Sequence, residues 1–143
     1  YGAGVHRHTP EMVQEIVDLS KKNMTVTFTP HLLPINRGIL STIYAPLRKG
    51  VDEFRIRSAY ESGFRRHKWL RLMPEGKYPE VRNVRGTMFC DVALAVDKKN
   101  GLLTVMSAID NLCRGASGQA LANANLMLGM PMDIGLRDSP LMP

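Results

Sequence analysis

Two apolar runs joined by a short polar turn occupy residues 88–109, which read MFCDVALAVDKKNGLLTVMSAI. The runs 88–96 and 102–109 are mostly apolar and have the length of strands. The turn between them ends in Asn100-Gly101, and Asn-Gly between apolar runs is a strong signal for a β-hairpin. These residues therefore predict two adjacent antiparallel strands.

Further helices and strands are predicted on both sides of this hairpin. Thr9-Pro10 followed by an acidic residue is typical of a helix start, with Thr9 as the N-cap, and predicts a helix over residues 10–21. Apolar spacing predicts a second helix over 51–66. An alanine-rich segment that is followed by Gly129 and Pro131 predicts a last helix over 114–128. Alternating or apolar segments predict additional strands over 24–28, 39–45 and 69–73. The resulting order α-β-β-α-β-β-β-α indicates an α+β fold, with a mixed, mostly antiparallel sheet and helices on one face.

Composition limits the classes of protein that fit. The chain has 143 residues, of which 44% are hydrophobic and 22% charged, as expected for one globular domain. Its net charge is +6, but no nucleic-acid-reading motif accompanies the basic stretch 55–71, so a solvated helix face fits better than a nucleic-acid partner. No apolar run is long enough for a membrane span. Two cysteines indicate reduced thiols and a cytoplasmic location, or an organelle if an import segment is removed.

The densest polar cluster lies at residues 6–11, where His6, Arg7, His8 and Glu11 surround the start of the first predicted helix. A helix N-terminus offers free backbone N–H groups and partial positive charge, which suit an anion. Histidines at that position are suited to binding a phosphate or carboxylate and to transferring a proton near neutral pH. Two exposed loop histidines without a function fit the spacing as well. A metal site is disfavoured, because the rings of an extended His-x-His point apart and no third ligand is evident.

A proline-stiffened loop between two predicted strands, residues 31–38, is the second candidate site. It carries His31 and Arg37, and an arginine suits bidentate binding of a carboxylate. An ordinary surface turn is the alternative interpretation.

The third candidate site is residues 110–119, DNLCRGASGQ, which lead from a strand into the last helix. Its small residues would allow a ligand or another backbone to approach closely. The glycine spacing differs from that of a dinucleotide-binding fingerprint, and helix packing is the alternative. Cys113, beside Arg114 near the helix start, is a weaker candidate for a thiol with a lowered pKa.

In their order and amino-acid sequence, these segments resemble the C-terminal domain of the N-acetyl-gamma-glutamyl-phosphate reductases, which are relatives of aspartate-semialdehyde dehydrogenase. The matching segments are residues 6–11, 28–32, 37–39, 89–91, 110–112, 115–120 and 125–136. The resemblance implies a fold like the C-terminal domain of glyceraldehyde-3-phosphate dehydrogenase. It also implies a substrate-binding and dimerisation domain over 1–129 that lacks its first strand, an extended tail over 130–143, and an N-terminal NADP-binding domain outside this chain.

The resemblance further implies a reaction for the complete protein. A cysteine outside this chain forms a thioester with N-acetylglutamyl 5-phosphate, and NADPH reduces it to N-acetylglutamate 5-semialdehyde. His8 is expected to be the acid-base group, oriented by His6 and Glu11. The groups expected to bind the substrate are Arg7, His31 and Arg37. The residues expected to face NADP are Asn111, Gly115, Ala116, Gly118 and Gln119, and no metal is expected.

Other interpretations remain open at this point. A lysine-pathway reductase acting on a carrier-linked aminoadipyl phosphate has a similar sequence pattern, and a non-catalytic oligomerisation fragment is a third possibility. The family forms homodimers or homotetramers, which is the assembly that the resemblance implies. Neither Cys90 nor Cys113 lies in a Pro-Gly-Cys loop. The chain alone is therefore expected to be inactive.

Overall fold

The computed structural model describes residues 1–136 and 139–141, and its chain falls into two compact units, Tyr1–Ile35 and Asn36–Pro143. The predicted division into a substrate-binding domain over 1–129 and a tail over 130–143 stays a prediction. Within the described ranges, no helix is long and apolar enough to cross a membrane.

The first unit contains one helix, α1, which spans His8–Ser20. The prediction that it begins at Pro10 with Thr9 as its N-cap is wrong. The backbone N–H of His8 donates to Nδ1 of His6 at 3.3 Å, and Thr9 Oγ1 is buried with no hydrogen-bond partner. Pro10 is tolerated inside the first turn, because the first four N–H groups of a helix have no intrahelical partner.

The strand predicted over residues 24–28 does not form. Residues 22–34 pair with no other described segment in a β-ladder. Alternating threonines give only a local preference for extended backbone, and a strand also needs a neighbour for its hydrogen bonds. The neighbour that the sequence suggested, residues 39–45, pairs elsewhere.

The second unit is built on a four-stranded sheet. Its strands are β1 (Ile39–Pro46), β2 (Leu70–Leu72), β3 (Cys90–Asp97) and β4 (Leu102–Ile109), in the order β1-β4-β3-β2. The β1–β4 and β3–β4 pairs are antiparallel, whereas β2–β3 is parallel. The predicted hairpin is therefore the centre of the sheet, and the predicted mixed, mostly antiparallel α+β fold is confirmed.

Two helices accompany this sheet. Helix α2 spans Glu53–Phe64 and is capped by Asp52, whose carboxylate accepts from the backbone of Arg55 at 2.7 Å. Helix α3 spans Gly118–Met127 and is shorter than predicted, because Cys113–Ser117 forms a π-helical turn. A short 3-10 turn at Val81–Asn83, which the sequence did not predict, precedes β3.

The buried cluster beneath α3 is small. It consists of Trp69, Met88 and Ala122, with Phe89, Cys113 and Leu136 packed against it. The tail predicted to be extended turns instead over residues 132–135. The buried amide of Asn125 causes this, since its Nδ2 donates to the carbonyls of Met132 at 3.1 Å and Ile134 at 3.0 Å. Residues 137, 138, 142 and 143 of the predicted tail lie outside the described residues.

We expect Asn125→Ala to lower the free energy of unfolding by about 1–3 kcal/mol, because two carbonyls lose their donor inside the protein. Urea unfolding measures the change. Asn123→Ala is the matched control, since Asn123 lies on the same helix with an exposed side chain and should change stability by less than about 0.5 kcal/mol. Equal losses in the two variants would contradict this role of Asn125.

Candidate functional site

The start of α1 brings two histidine rings together. The centroids of the His6 and His8 rings are 4.9 Å apart, with the planes at 72°. Because His6 Nδ1 accepts from the backbone of His8, the neutral His6 ring carries its proton on Nε2. The His6 ring also makes edge contacts with Tyr1 at 5.5 Å and Phe28 at 5.2 Å. His6 is thus held in place, whereas His8 is exposed.

The other predicted residues of the first unit are exposed and separate. The side chains of Arg7 and Glu11 make no hydrogen bond or ion pair with any residue that the structure describes, so Glu11 orients neither histidine ring in this way. Nδ1–H of His31 donates to the carbonyl of Thr29 at 3.1 Å, which leaves Nε2 of the neutral ring as an acceptor. The structure therefore brings together His6 and His8 of the predicted set.

A buried carboxylate that the sequence did not single out organises the second unit. Asp110 is fully buried and accepts four hydrogen bonds. Its Oδ2 accepts from Arg37 Nε at 2.5 Å and from the backbone of Gly86 at 2.6 Å. Its Oδ1 accepts from the backbones of Leu112 at 2.8 Å and Cys113 at 2.7 Å. One side chain thus joins three separate segments.

These bonds determine the charge state of Asp110. Burial acts to raise the pKa of the carboxyl group, but the bonds from Gly86, Cys113, Arg37 and Leu112 outweigh it and hold the pKa below its ordinary value of 3.8. Because the folded-state pKa is depressed, the carboxylate stabilises the fold fully above that ordinary value. The stabilisation is lost as the pH falls through the folded-state pKa.

The terminal nitrogens of the Arg37 guanidinium are available to another group. Only Nε is engaged with Asp110, and the terminal nitrogens form no hydrogen bond within the described chain. The side chain is 27% exposed, so a ligand could reach these nitrogens. Asn111, next to Asp110, accepts through Oδ1 from the backbone of Gly38 at 2.6 Å and has its Nδ2 without a described partner. Arg37 and Asn111 therefore belong to one hydrogen-bonded group.

The small residues after Asn111 divide into two kinds. Gly115, Ala116 and Gln119 are exposed and can meet a ligand. Gly118 is buried, and a Cβ there would lie 2.4 Å from Met88 Sδ and 2.7 Å from the carbonyl of Cys113. Gly118 is thus required for packing, which the sequence offered only as an alternative to cofactor binding.

The two cysteines differ in their surroundings. Burial raises the pKa of the Cys90 thiol, Arg114 lowers it and Asp91 raises it, with a net increase, so this thiol is poorly suited to act as a nucleophile. Cys113 is half-buried, and its backbone N–H belongs to the Asp110 group. Among the residues that the structure describes, no three histidine, cysteine or acidic side chains are grouped so as to hold a metal ion.

Residues 1–111 match the family described as semialdehyde dehydrogenase, dimerisation domain. The chain belongs to this family. The relatives that it matches include N-acetyl-gamma-glutamyl-phosphate reductases of Pelotomaculum thermopropionicum, 48% identical, and Syntrophobacter fumaroxidans, 47% identical. Each match covers 100% of this chain but only 41% of the relative's length. The resemblance seen in the sequence is thereby confirmed.

A solved structure shares the fold of this dimerisation domain. Aspartate semialdehyde dehydrogenase II from Vibrio cholerae, complexed with ASA, matches with a TM-score of 0.67 and 18% identity. The match covers 86% of this chain and 37% of the other. At this identity the likeness shows the fold alone.

We expect Gly118→Ala to be destabilising by about 1–3 kcal/mol, because the added methyl group has no room. Gly63→Ala in α2 is the matched control, since a Cβ at Gly63 meets nothing within 4 Å. It should stabilise the protein by about 0.4–1 kcal/mol. Thermal unfolding compares the two, and a neutral Gly118→Ala would contradict the packing role.

Proposed function

We propose that this chain is the substrate-binding and dimerisation part of an N-acetyl-gamma-glutamyl-phosphate reductase of arginine biosynthesis. The observation that supports this most directly is the 48% identity over all 143 residues to a relative of that name. The same names favour the arginine pathway over the carrier-linked lysine pathway. Because the chain spans 41% of that relative's length, the complete activity also needs a cofactor-binding region with a nucleophilic cysteine.

In this proposal, His8 moves the proton of the first chemical step. As a base it takes the thiol proton of the cysteine, whose thiolate attacks the acyl carbon of N-acetylglutamyl 5-phosphate. His8 then donates that proton to the departing phosphate, and the acyl group remains bound to the cysteine as a thioester. The exposed imidazole of His8 has the chemistry for both transfers, since one ring nitrogen can accept a proton and later donate it. His6 supports the proposal because its ring, fixed by the helix start, contacts the His8 ring.

The anionic substrate needs cationic partners, and the chain offers several. Arg37 presents two terminal nitrogens without a described partner, and guanidinium groups bind carboxylates and phosphates in a bidentate manner. Arg7 and His31 are exposed and are the further candidates. Orientation by such groups supplies a large part of the rate when the electrophile is already reactive.

The residues after β4 fit a nicotinamide cofactor. NADPH supplies the hydride that reduces the thioester to the semialdehyde. Asn111 Nδ2 is available as a donor, and the turn at Gly115, Ala116 and Gln119 is exposed. Gly118 acts indirectly, because its lack of a side chain lets the turn pack against Met88.

Two apolar surfaces support the need for further protein. On the edge strand β1, Ile39 and Ile43 on one face and Leu40 and Tyr44 on the other have exposed fractions of 45% to 66%. On and after α3, Leu126, Met127 and Leu128 are 56%, 87% and 71% exposed. Apolar patches of this kind usually mark interfaces. We assign β1 to a dimer contact and α3 to the cofactor-binding region.

The purified chain should show no turnover, because both the nucleophile and the phosphate-binding part of the NADP site lie outside it. Absorbance of NADPH tests this when the chain is incubated with NADP, phosphate and N-acetylglutamate 5-semialdehyde. The full-length protein that contains the chain is the positive control. Turnover by the chain alone would contradict the assignment of the nucleophile, and an inactive full-length protein would contradict the reductase function.

His8→Asn in the full-length protein should lower kcat by about a hundred- to ten-thousandfold, the range for loss of an acid-base group. The apparent constant for the acyl phosphate should change much less, since the lost interaction is made mainly in the transition state. Steady-state kinetics across pH measures both. His31→Asn is the matched control and should lower kcat less than His8→Asn does. A large loss of kcat in His31→Asn together with a small loss in His8→Asn would reverse the assignment.

A further inference from the structure

The Asp110 carboxylate connects the two parts of the second unit that the proposed function uses. Through Arg37 it reaches the segment before β1, which is assigned to the substrate. Through Leu112 and Cys113 it reaches the turn after β4, which is assigned to the cofactor. Through Gly86 it reaches the segment before β3. A change at this one side chain therefore acts on both binding elements.

The chemistry at Asp110 requires a carboxylate rather than another polar group. All four neighbours are donors, and an ionised carboxylate only accepts, with room for about four hydrogen bonds. An amide at the same position would place its NH2 group against two of these donors. A buried charge also has to be fully paired, because each missing partner leaves an expensive buried group.

A second buried carboxylate, Asp91 of β3, is bound by one arginine and serves as a comparison. Asp91, 2% exposed, accepts both of its side-chain bonds from Arg71, at 2.5 and 2.9 Å. It fixes one side chain and holds no separate backbone segment. Asp110 accepts only one of its four hydrogen bonds from an arginine and the other three from backbone N–H groups. The two carboxylates thus share burial and an arginine partner but differ in what they position.

We propose that Asp110 is a positioning residue of the reductase. It fixes the Arg37 guanidinium through Nε, so that the terminal nitrogens stay available to an anionic group of the acyl phosphate. By the same carboxylate it holds the turn 111–119 in the conformation that meets the nicotinamide cofactor. Substrate and cofactor elements are thereby held in one arrangement. This inference rests on the proposed function.

The kinetic test compares Asp110→Asn with Arg37→Gln in the full-length protein. Asp110→Asn should raise the apparent constants for both the acyl phosphate and NADPH by about tenfold to a hundredfold, the effect of losing hydrogen bonds to a charged group. Arg37→Gln should raise only the constant for the acyl phosphate. Because Asp110 acts on the substrate through Arg37, adding Asp110→Asn to Arg37→Gln should raise that constant little further.

Asp91→Asn is the matched control, and it should lower thermal stability while both constants stay unchanged. If Asp110→Asn likewise lowers only stability, the positioning role is overturned. Should Asp110→Asn fail to fold, Arg37→Gln decides the substrate part, since it leaves the three backbone bonds of Asp110 in place. An unchanged acyl-phosphate constant in that variant overturns the proposal.

A readout without turnover separates this inference from the proposed function. Amide hydrogen exchange at Gly86, Leu112 and Cys113 should accelerate in Asp110→Asn and stay as in wild type in Asp91→Asn. Unchanged exchange in Asp110→Asn contradicts the anchoring itself. An inactive wild-type protein with the expected exchange pattern contradicts the reductase assignment instead.

Discussion

The second unit depends on one buried negative charge that accepts two hydrogen bonds from neighbouring backbone N–H groups and two from distant parts of the chain. Asp110 and Arg37 are 73 positions apart in the sequence, and Asp110 and Gly86 are 24 apart. Each of these bonds can form only when the sheet has brought the segments together. The full set of hydrogen bonds to the carboxylate therefore forms only in the folded second unit. The pKa of Asp110 lies below its ordinary value because the surrounding donors outweigh the effect of burial.

The parts of the fold that were predicted correctly depend on local signals. The Asn-Gly turn at 100–101 identified the β3–β4 hairpin, because its backbone conformation is favoured before any tertiary contact exists. Helix α2 followed from its apolar spacing, and β1 from its length and composition. In each case the local preference and the tertiary environment agree.

The errors arise where particular contacts, and not residue preferences, determine the structure. The segment 24–28 has strand-like alternation, but no described segment pairs with it. At the start of α1 the backbone of His8 donates to the ring of His6, whereas the hydroxyl of Thr9 has no hydrogen-bond partner. In the candidate site, Arg37, Asn111 and the small residues were found from residue type and resemblance. Asp110 lay in the candidate segment 110–119 but was given no role, because a carboxylate's burial and hydrogen-bond partners are not visible in a sequence.

The position of β1 at the edge of the sheet also has a consequence while the chain is being synthesised on the ribosome. In the described structure, β1 forms a ladder only with β4. Residues 39–46 leave the ribosome before their partners, residues 102–109, have been synthesised. At roughly 5–20 residues per second, the apolar strand waits on the order of several seconds without a partner. Such a strand is prone to aggregate. Arg37 precedes it, and Arg48 and Lys49 follow it. Charges that flank an apolar strand oppose aggregation, and these three cations have the positions that such a role requires.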